Sequence, residues 1–106
     1  GEPSADIRTR VAAVRAIQAQ RYQGLGFTCN AQLPSGMLRR YCPLAPAAEK
    51  LLHGAFERMG YSARAYDRIL RVARTIADLD GAQTIALTHL AEAIQYRTYD
   101  FSVAEP

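Results

Sequence analysis

The sequence predicts an all-α domain, a small bundle of four to five helices. Three observations carry that expectation. Apolar residues return at spacings of three and four along most of the chain, as one face of a helix requires. Start and stop signals punctuate these runs, with Ser4, Pro46, Ser62 and Thr88 at starts and Gly24, Gly60 and Gly81 at ends. No segment alternates apolar and polar residues for long enough to build a sheet. The chain has 106 residues, 49% of them hydrophobic and 22% charged. That suits one globular domain, residues 1–106, with a modest core, and argues against disorder.

The first helix is expected over about Ala5 to Gln23, with Ser4 as its cap. Ile7, Val11, Val14 and Gln18 line one side, extended by Ile17 and Leu25, and flanking arginines can lay their stems along the core edge. Gly24-Leu25-Gly26 stops it. Residues 24–46 hold three glycines and three prolines, so they read as loop, with a short helix from Ser35 to Tyr41 turning Met37, Leu38 and Tyr41 inward. Pro46 suits the first turn of the next helix, Pro46 to Met59, whose inward set is Leu51, Leu52, Ala55, Phe56 and Met59. Gly60 ends it.

Ser62 caps the central helix. There Ala65, Ile69, Val72, Ile76 and Leu79 form one face, widened by Leu70, Ala73 and Ala77. Asp80-Gly81 ends it, and Thr84 to Leu87 reads as an extended connector too short to count as a sheet. Thr88 caps the last helix, with Glu92 one position off a capping box, and a frayed tail is expected from Phe101 to Pro106.

The net charge of +3 is unevenly placed. Residues 1–60 carry eight Lys or Arg against four acids, and residues 61–106 carry five Arg against six acids. Twelve of the thirteen cations are Arg, a side chain that forks onto phosphates and carboxylates; the same bias also arises from a GC-rich genome. The chain has no run of 18 apolar residues, so no membrane partner is expected. It opens on Gly with no secretory leader following, which reads as a domain cut from a longer protein. Cys29 and Cys42 read as unpaired thiols of a reducing cytoplasm. A zinc site would need two more ligands, and His53 and His89 lack the spacing, so no metal is expected.

No GxxxxGK[ST] loop and no Ser/His/Asp set is present, so the chain cannot cradle a triphosphate alone and holds no catalytic constellation. The arginine row of the central helix is the remaining signal. Arg64, Arg68 and Arg71 fall within roughly a 60° arc at helical periodicity. Asp67 with Arg71 and Arg74 with Asp78 have the spacing of ion pairs within a helix, whereas Arg64 and Arg68 have no acid four residues on. Arg64 stands in the first turn, where the helix dipole also favours an anion.

Ser62-Ala63-Arg64, Tyr66-Asp67-Arg68-Ile69-Leu70 and Val72-Ala73-Arg74-Thr75-Ile76-Ala77-Asp78-Leu79 resemble the C-terminal domain of Mg-chelatase-like AAA+ ATPases of the ComM/YifB type. His89-Leu90, Glu92-Ala93 and Gln95-Tyr96-Arg97 support the match. So do Ile7-Arg8, Arg10-Val11, Gln18, Gln20-Arg21 and Asn30. The resemblance implies a helical lid that follows a nucleotide-binding core. Ser-x-Arg then looks like a sensor-2 motif, with Arg64 contacting the γ-phosphate of ATP and Arg68 beside it. ATP and Mg²⁺ would be held by the missing core, the lid alone would not hydrolyse ATP, and the partners would be that core, neighbouring subunits of a hexameric ring and DNA, in branch migration during competence. The alternatives are a free-standing basic helical module that contacts DNA through Arg8, Arg15, Arg21, Arg39 and Arg40, and a protein-interaction domain.

Overall fold

The computed structural model describes residues 4–104, with side chains over 4–96. Five α-helices follow in order: α1 (Ser4–Arg21), α2 (Leu38–Tyr41), α3 (Pro46–Met59), α4 (Ala63–Leu79) and α5 (Leu87–Ala104). Two 3-10 turns, Asn30–Gln32 and Ser35–Met37, shape the loop between α1 and α2. The expected all-α class is what the chain adopts.

The body is α3, α4 and α5 packed together, with α4 at its centre. Leu52 of α3, Ile69, Leu70, Ala73 and Ala77 of α4, and Leu90 and Ala93 of α5 are sealed from solvent together with Leu38 of α2 and Tyr22, Leu33, Cys42 and Ile85 from the connecting segments. The deepest α4 positions are thus Ile69 of the expected face together with the leucine and alanines expected to widen it. Leu79, expected on that face, is exposed. Small side chains at Ala73 and Ala77 let the neighbouring helices approach α4 closely, which moves the buried stripe toward them.

Two further apolar sets depart from expectation. On α3, Ala48, Leu52 and Ala55 are buried, but Phe56 and Met59 face outward near the helix end. On α1, Val14 and Gln18 are buried, while Ile7 and Ile17 are each 46% exposed and Val11 37%. Among the described side chains of α1, the apolar stripe is therefore covered at Val14, while Ile7, Val11 and Ile17 stay open to solvent. Ser4 lies inside α1 instead of capping it, and the helix ends at Arg21.

Gly24 and Gly26 take φ of 84° and 89°, a left-handed conformation that side chains resist, and turn the chain back toward α4. The connector before α5 is extended as expected. Ile85 pairs with Leu44 in a single parallel bridge, donating its N–H to the Pro43 carbonyl at 2.8 Å and accepting from the Ala45 N–H at 2.9 Å.

The last helix begins at Leu87, so Thr88 is an interior residue and not its cap. His89 performs that task, its Nδ1 accepting the Ala86 N–H at 2.9 Å while Nε2 lies 2.8 Å from an Asp80 carboxylate oxygen. A backbone N–H can only donate, so Nδ1 is unprotonated and Nε2 carries the hydrogen. The helix continues through Ala104, past the expected start of a frayed tail at Phe101; Glu105 and Pro106 lie outside the described residues.

Candidate functional site

The arginine row is set up by the turn between α3 and α4. Gly60 closes α3 at φ 63°, its N–H bonded to the Phe56 carbonyl at 3.0 Å. Ser62 then takes an extended conformation, and its Oγ accepts the Ala65 N–H at 3.2 Å. This fixes the first turn of α4 and places Arg64 at its second residue. Arg64 is exposed and makes no hydrogen bond or ion pair among the described residues. Its guanidinium and the positive end of the helix lie together at one edge of the domain, an arrangement suited to an anion.

The turn is braced from the other side. Tyr66 accepts a hydrogen bond from Arg39 at 2.8 Å and meets the Phe56 ring edge-on at 5.7 Å between centroids. Arg39 also pairs with Glu49 of α3 at 2.5 Å, and that bond holds its guanidinium above the usual arginine range. Ser35 donates to Asp67 at 2.5 Å.

The row divides along the helix. Arg64 and Arg68 are exposed. Arg71 does not pair with Asp67. Its Nε donates to the Leu33 carbonyl at 2.9 Å, because Asp67 is turned toward Ser35 and the Leu33 carbonyl stands over the next turn. Arg74 pairs with Asp78 as its spacing predicts, but in the interior: it is 1% exposed, and its other nitrogens donate to the carbonyls of Ala82 and Gln83 at 2.6 and 2.8 Å.

Of the five first-half arginines considered for nucleic acid, Arg8 and Arg15 are exposed on α1 with no hydrogen bond or ion pair among the described residues. Arg40 lies over the ring of its neighbour Tyr41, 5.5 Å from the centroid. Arg39 is engaged as above. Arg21 is turned inward: Nη1 and Nη2 fork onto the two Asp78 oxygens at 2.9 and 2.7 Å, and Nη1 also reaches Asn30 at 3.3 Å.

Asp78 is the centre of a buried polar network that the sequence reading did not assemble. Beyond Arg21, it accepts from Arg74 Nε at 3.2 Å, Asn30 Nδ2 at 2.9 Å and Gln18 Nε2 at 3.2 Å. Asn30 in turn accepts the Tyr22 hydroxyl at 2.5 Å, donates to Thr75 at 3.0 Å, and passes its backbone N–H to Gln18 Oε1 at 3.0 Å. Burial acts to raise the Asp78 carboxyl, but the bonds from Arg21 and Asn30 and the charge of Arg74 outweigh it and hold the group below the usual carboxylate range. The bond to Asp78 likewise raises Arg21. One signal was available: Gln18 is the polar member of an otherwise apolar stripe.

Cys29 and Cys42 are both free thiols. Burial pushes Cys42 up to about 11, so it stays protonated near neutrality. Among the described residues, no group of His, Cys, Asp and Glu is arranged to hold a metal ion, and no helix is long and apolar enough to cross a membrane.

The model of the magnesium chelatase subunit ChlI C-terminal family matches residues 1–97. The chain belongs to that family. It is 46% identical over 97 residues to the competence protein ComM of Haemophilus influenzae, covering 92% of the chain and 18% of that protein. It is 42% identical over 100 residues to YifB of Escherichia coli, covering 94% of the chain and 19% of that protein. A Mycobacterium bovis protein is 38% identical over 97 residues, again covering 92% and 19%. The chain thus spans about a fifth of the length of the curated relatives it matches.

Proposed function

We propose that this domain is the helical lid of a ring-forming, Mg-chelatase-like ATPase, and that Arg64 is its sensor-2 contact to a nucleotide phosphate. The observation that carries the reading is the state of Arg64: exposed, without a partner among the described residues, and held at the start of a capped and braced helix. Structural arginines in this domain are engaged inside the chain, as Arg21, Arg71 and Arg74 are. A guanidinium kept open at considerable entropic freedom fits a ligand that arrives from another part of the protein.

The exposed guanidiniums of Arg64 and Arg68 fit contacts to a phosphate and do not by themselves make a nucleotide site. With no phosphate loop in the chain, ATP and Mg²⁺ would be held by a nucleotide-binding core elsewhere in the longer protein. There a transferring phosphoryl group gathers negative charge, and Arg64, with the exposed Arg68 one turn on, would stabilise it across the site. The partners would be that core and neighbouring subunits of the ring, with nucleotide state coupled to ring shape through the orientation of α4. The likeness to the competence protein of Haemophilus influenzae supports a role in competence, which we read as the processing of DNA in the cytoplasm.

In the longer protein, Arg64→Ala is expected to leave the melting temperature unchanged and to lower ATP turnover on the order of 10²-fold, the usual cost of one lost electrostatic donor. An unchanged turnover would remove Arg64 from the site. The reading as a free-standing DNA-binding module loses two of its candidates, since Arg21 and Arg39 are paired within the chain. Steeply salt-dependent DNA binding by the 106-residue chain would revive it.

A further inference from the structure

Ile7, Val11, Val14 and Gln18 follow one another along α1 at spacings of four, three and four. That is the a/d register of a coiled-coil seam. Its second half is used within the chain. Val14 and Gln18 are buried, and Gln18 bonds Asp78 of α4 at 3.2 Å and the Asn30 N–H at 3.0 Å. The first half continues the same face, yet Ile7 is 46% and Val11 37% exposed. A seam that packs against the body at one end is open at the other.

The two flanks of the seam differ. In this register Arg10 takes a g position, and Arg8 and Arg15 take e positions. Arg10 has an interaction of its own and lines a recess with Leu79, Asp80 and Glu92, so acids of this chain stand on its side. Arg8 and Arg15 are exposed with no hydrogen bond or ion pair among the described residues, and no e or g position of α1 holds an acid. This charge pattern selects an occupant. Between two copies of the seam, parallel or antiparallel, Arg would face Arg. A lipid surface needs a broad apolar face, and only Ile7 and Val11 of this seam are open. A phosphate backbone would use the arginines and leave the two apolar side chains without a counterpart.

We propose that the N-terminal half of α1 is a docking face for an amphipathic helix of another protein, apolar at a/d spacing and acidic along the edge that meets Arg8 and Arg15. Ile7 and Val11 supply the contact that is buried on binding. The two arginines set the orientation and the choice of partner. The face is independent of the role given to Arg64, which stands on a different helix.

The probe is a synthetic peptide of about three heptads with Leu at a and d and Glu at e and g, whose pairing with itself is opposed by Glu facing Glu. Fluorescence anisotropy with the 106-residue chain at physiological ionic strength is expected to show saturable binding, at least about tenfold tighter than for the same peptide with Lys in place of Glu. Ile7→Ser with Val11→Ser should weaken the Glu peptide at least about tenfold. Arg8→Glu with Arg15→Glu should reverse the preference, so that the Lys peptide binds the tighter. The two pairs probe the face separately, and the melting temperature of each variant checks its folding. Arg40→Glu on α2 should leave binding within about twofold; an equal loss there would reduce the effect to general attraction between a basic chain and an acidic peptide, and overturn the face. No binding, or binding indifferent to Ile7 and Val11, would overturn it as well. So would dimerisation of the chain lost in Ile7→Ser with Val11→Ser, or binding of duplex DNA or anionic vesicles lost in that variant, since another occupant would then own the surface. Binding by the 106-residue chain but not by the longer protein would show that the rest of that protein covers the face, and would overturn the assignment to a partner.

Discussion

Asp78 shows how one buried carboxylate can be stabilised as an ion. It is removed from water, yet two guanidiniums and two amides surround it, so the charged form wins. Removing the carboxylate by Asp78→Ala would leave Arg74 unpaired in the interior, and about 3–5 kcal/mol of stability should be lost in a denaturant titration. The pH dependence has a definite sign. A carboxyl depressed in the folded state contributes stability that is complete above its unfolded value of about 3.9 and disappears as pH falls through the lower folded value. The melting temperature should therefore carry no Asp78-dependent change between pH 7 and 5, and should fall below about pH 4 less steeply in Asp78→Asn than in the parent chain. Cys42 titrates in the opposite sense, since burial favours its neutral thiol. In the folded chain at pH 8, a thiol reagent should label Cys29 readily and Cys42 only on unfolding.

At the scale of the element, α4 and α5 each begin at a particular local device. Ser62 caps α4 through its hydroxyl, and Ser62→Ala should cost about 1 kcal/mol in urea unfolding. For α5 the capping group comes from within the helix. His89 reaches back to the Ala86 N–H, a geometry that the serine, threonine and aspartate patterns of helix starts do not anticipate. His89→Ala should cost about 1 kcal/mol or more, while Thr88→Ala should stay within about 0.5 kcal/mol; the reverse order would show that the threonine caps after all. The arginine row on α4 likewise divides by surroundings. Identical side chains at similar spacing are without a hydrogen-bond or ion-pair partner among the described residues at Arg64, exposed at Arg68, tied to the Leu33 carbonyl at Arg71, and buried at Arg74.

The whole molecule is a body of packed helices with a first helix whose apolar stripe is largely exposed. That division predicts how substitutions distribute. Leu70→Ala, in the sealed centre, should cost about 2–5 kcal/mol, whereas Ile7→Ser on the open stripe of α1 should change stability by no more than about 0.5 kcal/mol. A large loss at Ile7 would mean that α1 packs along its full length. Along α1, Ile7, Val11 and Ile17 lie among Arg8, Arg10 and Arg15, so its exposed apolar stripe runs beside basic residues.

The sequence by itself determined the all-α class, the existence of four long helices and a short one, their stop signals, and the family whose motif the central helix carries. Those are local matters of periodicity, glycine conformation and residue spacing, and they survive any tertiary arrangement. It also singled out Arg64, because a guanidinium with no acid one turn away is visible as spacing. Tertiary structure decided which apolar stripes are core. Ile7, Val11, Phe56, Met59 and Leu79 have helical spacing, but burial requires a facing surface, which spacing cannot supply. It decided too that Arg21 belongs to the interior. Its partner Asp78 lies 57 residues away, and only the chain's return through Gly24 and Gly26 brings the two charges within hydrogen-bonding distance.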